Sequence, residues 1–187
     1  MKRDGINPVS FLGGQSGLWK VVRLETIVGE GLSDVGYLDV KPIHISVNDS
    51  ASAKWILRGT NVHTRYAERR EVDKLVAHQA TLGRPEAVCA ALIPIRKSAQ
   101  WWGMAQDERR RVFEDESRHI AMSIDYSAAI ARRLYQSREL GEAFDFLTWF
   151  EFTPENEKIF DKLLAKMRAA KEWSFVDREI DIRLIRV

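Results

Sequence analysis

With one cysteine, Cys89, in 187 residues the chain can form no internal disulfide and carries neither a CxxC nor a CxxCH motif. Its setting, VCAALIPI, is apolar and suits a small core residue better than a reactive thiol. An excess of charge of either sign is missing too. Lys and Arg total 29 against 27 acidic residues, a net charge of +2, so there is no basic excess of the kind a nucleic-acid surface shows. No run approaches the roughly 20 apolar residues of a membrane span. The opening MKRDGINPVSFLGG is interrupted by charge and glycine before an h-region can form, so neither a membrane segment nor a signal peptide is expected. Sparse cysteine then points to the cytoplasm. The four histidines show no HExxH or HxH spacing, which argues against a multi-histidine metal centre. His44 falls on the polar side of a strand, and His63 and His78 at opposite ends of one helix, too far apart to share an ion. No charge block or low-complexity tract divides the chain, which reads as one domain over 1–187.

What is present is the 45% hydrophobic, 30% charged mixture of a globular protein, with six tryptophans and eight phenylalanines. After a glycine-rich entry, GLWKVVRLETIVG alternates as a strand, and GYLDV, KPIHISVN and KWILRGT continue in that style. From Asn61 to Leu82 the period becomes helical, through Tyr66, Val72, Leu75, Val76 and Gln79, until LGRP ends it. AVCAALIPIRKS reads as a buried strand. Ala105 to Ile124 reads as a helix, opened by Gln106 and Asp107 with acid at its positive end. ARRLYQS and FDFLTWFEF follow as an antiparallel pair joined through Gly141. Thr153-Pro154-Glu155 starts a helix that runs to about Lys171, and EIDIRLIRV closes the chain as a strand.

The second half is thus strand, helix, strand, strand, helix, strand, the split order of a ferredoxin-like unit. VDKL at 72–75 echoes FDKL at 160–163, each in a helix after a strand, with ALIPIR and EIDIRLIRV beyond. The fold class expected is α+β: two ferredoxin-like repeats, 1–86 and 87–187, the first short of a helix, curving into a barrel with helices outside.

The stretch KSAQWWGMAQDERRRVFEDESRHIAMSIDYSAAIAR, from Lys97 to Arg132, concentrates the residues able to do chemistry. Val112, Phe113, Glu116, His119, Ile120 and Ser123 share the 3.6-residue spacing, so His119 borders the apolar face of its helix. By spacing alone such a histidine is a satisfied core or interface residue, Arg132 the partner of a carboxylate, and Trp101 and Trp102 core and rim. A haem needs a single axial protein ligand, so a lone histidine is compatible with one.

Taken together, Lys97, Trp101-Trp102, His119, Arg132, LTWFEF and Glu172-Trp173 resemble the chlorite dismutase family, most closely its short, dimeric lineage. The likeness extends through LRGTNVHTRYAER, AALIPIRKSAQWW, ERRRVFEDESRHIA, IARRLY, FDFLTWFEF and KEW. It implies a dimeric α+β barrel of two ferredoxin-like repeats per subunit, the first truncated. It implies haem b, held non-covalently and one per subunit, with His119 as the proximal ligand. Glu172 and Lys97 would support the imidazole, with Trp101 stacked nearby. Trp102, Tyr66 and Asn61 would approach the propionates. Arg132 would be the distal catalytic residue, oriented by Gln79, with Leu134, Thr148 and Phe150 lining the remaining distal face. The activity implied is conversion of chlorite to chloride and dioxygen through a ferryl species, the hypochlorite fragment being held by Arg132. A guanidinium stays cationic at any relevant pH, and chlorite, already an anion, needs no base. The same fold also serves coproheme decarboxylases, which typically carry a neutral residue where Arg132 stands. A non-catalytic haem carrier is the other alternative.

Overall fold

Eight strands frame the computed structural model, which describes residues 8–42, 51–61 and 66–187. They are β1 (Pro8–Gly14), β2 (Trp19–Val28), β3 (Tyr37–Pro42), β4 (Ala53–Asn61), β5 (Cys89–Lys97), β6 (Ala131–Gln136), β7 (Phe146–Phe152) and β8 (Val176–Arg186). All pair antiparallel and close into a barrel in the order β1-β3-β2-β8-β5-β7-β6-β4. Within it β4-β1-β3-β2 and β8-β5-β7-β6 repeat one arrangement, with the fourth strand beside the first, the first beside the third and the third beside the second. That is the ferredoxin-like order, present twice. Helix α1 (Arg69–His78) follows β4; α2 (Ala99–Gly103), α3 (Gln106–Arg110) and α4 (His119–Tyr126) lie between β5 and β6; α5 (Glu157–Arg168) joins β7 to β8. Only residues 15–18 connect β1 to β2, so the first repeat lacks a helix there, as expected.

Strand β5 shows why a continuous apolar run was needed. Its even positions Ala90 and Leu92 enter the barrel core with Phe11, Trp19, Trp149 and Ile182. Its odd positions Ala91, Ile93 and Ile95 enter a second core beneath α5, with Phe160, Leu163, Leu164 and Met167. Both faces are therefore dry, which removes the polar alternation of a one-sided strand. The outward face of β8 instead carries Glu179 and Asp181, both fully buried. Arg168 of α5 reaches both, at 2.6 Å and 3.0 Å, and fastens the helix end to the sheet.

Several expectations are corrected. The glycine-rich entry contains β1. Gly13 lies opposite Trp55, and a Cβ there would fall 2.2 Å from the indole, so this glycine admits a close aromatic contact and does not mark a loop. The expected helix over Ala105–Ile124 is broken: α3 runs into a π-helical turn (Arg111–Glu116), and Arg118, at φ 53°, redirects the chain before α4. The helix expected over Asn61–Leu82 contracts to α1, with Asn61 ending β4. The helix expected to run to Lys171 ends at Arg168, and a 3-10 turn (Lys171–Phe175) follows. The VDKL and FDKL echo is not a positional match, because α1 follows the fourth strand of its half and α5 precedes the fourth strand of the other. His44, His63 and most of KPIHISVN lie outside the described residues.

Candidate active site

The elements that carry the candidate residues meet on the outward face of β5, β7 and β6. At the end of β5, the Lys97 backbone N–H donates to Asp145 Oδ2 at 2.7 Å, which fixes where its side chain leaves the strand. The ammonium then donates to Glu172 Oε1 at 2.6 Å and sits 4.7 Å from the centre of the Trp101 ring. Glu172 is presented by the 3-10 turn after α5, and its own N–H donates to Ser117 Oγ at 2.8 Å. Its second oxygen, Oε2, lies 2.6 Å from His119 Nδ1. Side-chain exposure is 2% for Lys97, 3% for Glu172 and 16% for His119.

One buried carboxylate thus serves two donors. Burial alone would raise the Glu172 pKa, but His119, Lys97 and the hydrogen bonds they give outweigh it and bring the group down to about 2. An ionised Glu172 accepts the Nδ1 proton of His119, which leaves Nε2 as the free lone pair of the imidazole. The Phe113 ring lies nearly parallel to the imidazole at 4.2 Å and holds its plane.

A cavity of about 80 Å³ opens in front of His119. Tyr66, Lys97, Trp101, His119, Arg132, Leu134, Thr148, Phe150 and Glu172 all line it, among apolar neighbours that include Ile93, Ile95, Phe146, Leu164 and Met167. Arg132, Leu134 and Phe150 are shared with a second cavity of about 520 Å³, which also takes in Asn61 and Gln79. His119 and Arg132 therefore face one common space, and Arg132 stands where the two cavities adjoin. Its Nη1 donates to Ser123 Oγ at 3.0 Å. Burial pulls the guanidinium below its ordinary value, while the charge of Glu172 acts in the opposite sense. Gln79 bonds the main-chain oxygen of Arg132 and not the guanidinium, so it steadies the strand.

Trp102 does not line either cavity. Successive residues of a short helix point about 100° apart, so Trp101 faces inward while Trp102 stacks behind Phe146, donates to Asp145 Oδ2 at 2.9 Å and lies under Arg138. Phe113 and Ser123 share the helical spacing of His119 in the sequence, but that spacing assigned neither a role at the site. Ser117 and Asp145 carried no such signal. Among the described residues no group of three or more His, Cys, Asp or Glu side chains could hold a bare metal ion. No helix among them is long and apolar enough to cross a membrane.

The donor set fits a haem. It offers one imidazole nitrogen with its tautomer fixed, an apolar enclosure, a cation facing the same space, and the buried Trp101 Nε1, which has no hydrogen-bond partner.

Comparison with known proteins points to one family. A family model described as chlorite dismutase matches residues 32–186. The chlorite dismutase of Ideonella dechloratans is 32% identical over 62 residues, 33% of this chain but only 20% of that protein's length. The crystal structure of dimeric chlorite dismutases from Nitrobacter winogradskyi superposes with a TM-score of 0.89 at 51% identity, covering 96% of this chain and 99% of that one. A chlorite dismutase from Candidatus Nitrospira defluvii in complex with imidazole has a TM-score of 0.67 at 19% identity, covering 95% of this chain and 90% of that one, a likeness of fold.

Proposed function

The chain belongs to the chlorite dismutase family, and from that premise we propose that it is a homodimeric haem b enzyme converting chlorite to chloride and dioxygen. In this reading His119 would hold the haem iron and Arg132 would be the catalytic cation. The observation that carries it is that both side chains open onto one apolar cavity, with His119 Nδ1 tied to the buried pair of Glu172 and Lys97. The dimeric Nitrobacter winogradskyi relative supports the homodimer.

Haem held there would supply iron chemistry able to cleave a Cl–O bond of the substrate. The chain's residues supply orientation and charge. Glu172, by accepting the Nδ1 proton, raises the basicity of the imidazole and keeps Nε2 aimed into the cavity. Lys97 compensates the carboxylate, which would otherwise be costly to bury. The net conversion of ClO2− to Cl− and O2 takes up and releases no proton, so no acid or base is required at the substrate. What the chemistry would use is a permanent cation, to draw in the anion and to keep the hypochlorite-level fragment within the cavity. Arg132 provides it, and its field is strengthened by the low-dielectric walls of Leu134, Phe146 and Phe150.

An oxygen electrode tests the proposal. Haem-loaded protein given chlorite should evolve one dioxygen for each chlorite consumed, with chloride as the other product. No oxygen from haem-loaded protein would overturn it. Formation of haem b from iron coproporphyrin and peroxide would put coproheme decarboxylation in its place, and haem transfer to an acceptor without turnover would make the protein a carrier.

A further inference from the structure

We propose that Glu114 is a positioning residue for His119, setting the direction of its imidazole by holding the first turn of α4. The inference rests on the reading of His119 as the axial ligand.

Helix α4 begins at His119 itself, so the imidazole goes wherever the first turn goes. The amides of a first turn have no acceptor within their own helix. An N-cap side chain commonly takes one, but the N-cap here is Arg118, left-handed at φ 53° and without a side-chain cap. The Glu114 carboxylate fills that place with both oxygens. Oε2 accepts from the Ile120 N–H at 2.6 Å, and Oε1 from the Ala121 N–H at 3.2 Å. Its negative charge also sits at the positive end of the helix dipole.

Only the broken helix permits this. Were the chain α-helical from Gln106 to Tyr126, the amides of Ile120 and Ala121 would bond the carbonyls of Glu116 and Ser117, and no side chain could reach them. The π-helical turn and the reversal at Arg118 aim Glu114 at the end of the next helix. Phe113, its neighbour, lies against the imidazole. Glu172 bonds Ser117 on this connection, but it is also held from β5 by Lys97, apart from α4. A shift in the start of α4 would therefore move His119 against a fixed carboxylate, and the 2.6 Å contact between Nδ1 and Oε2 would register it.

The test uses NMR of isotope-labelled histidine in the haem-free protein, together with haem dissociation from the loaded form. Glu114→Ala removes both acceptors. It should abolish the strongly downfield Nδ1 proton resonance and speed haem loss on the order of 10-fold. Glu114→Gln keeps one carbonyl oxygen in place and should retain the resonance. Glu108→Ala removes the comparable cap of α3, where Oε2 accepts from the Ala105 N–H at 2.8 Å, and should change neither readout. An unaltered resonance and unaltered haem loss in Glu114→Ala would overturn the proposal, as would the same changes in Glu108→Ala. Failure of the axial-ligand reading looks different, because His119→Ala would then bind haem with an unchanged spectrum.

Discussion

Lys97 and Glu172 form an ion pair with 2.6 Å between Nζ and Oε1, shut off from water on both sides and closed from above by the Trp101 ring. The pair joins the end of β5 to the turn after α5, and the imidazole hangs from its free oxygen. Loss of one charge strands the other. Lys97→Met should therefore destabilise the fold by about 3–5 kcal/mol, read as a drop in denaturation midpoint, and Glu172→Gln made in the same chain should recover part of it.

The low pKa of Glu172 gives the stability a definite acid dependence. Its folded value, about 2, lies below the ordinary 4.5, so the unfolded chain binds the proton more readily. The contribution is complete above about pH 4.5 and is lost as pH falls toward 2, with a size of roughly 3 kcal/mol. Acid titration of unfolding by circular dichroism should show this slope, and Glu172→Gln should flatten it.

His119→Ala deletes the imidazole that would hold the haem iron. Haem titration followed by absorbance should show weak binding and a changed ferric spectrum. The same spectrum in that variant would place the ligand elsewhere.

Arg132→Ala should leave haem bound, since the guanidinium contacts Ser123 and not the Glu172 pair. Turnover should fall roughly 100-fold, the scale of losing one charged donor at a reacting centre. A chlorination trap should at the same time report escaped hypochlorite. Ser123→Ala should lower turnover far less, because it releases one hydrogen bond and keeps the charge.

Gly13→Ala tests the barrel independently of the site. The added Cβ meets the Trp55 indole at 2.2 Å, and the indole is itself tied to the Ser33 carbonyl at 2.9 Å. A loss of about 1–3 kcal/mol in urea unfolding is expected.

The sequence by itself determined the identity of most strands, the order of elements in the second half, and the set of residues resembling a haem site. Alternation in β2 and β8 and the apolar run of β5 are properties of single segments, so they can be read from single segments. Tertiary structure decided the rest. Lys97 and Glu172 are 75 positions apart and His119 and Glu172 are 53, and only the register of β5 against β8 and the seating of α5 make them neighbours. Trp101 and Trp102 are adjacent in the sequence, yet one lines the cavity and the other backs Phe146, because the direction of a side chain is fixed by the packing of its helix. The break before His119 was hidden for the same reason. Nothing local forbids a helix through Ser117 and Arg118, and the alternative wins because Glu114, Phe113 and Ser117 together hold a geometry that no periodicity encodes.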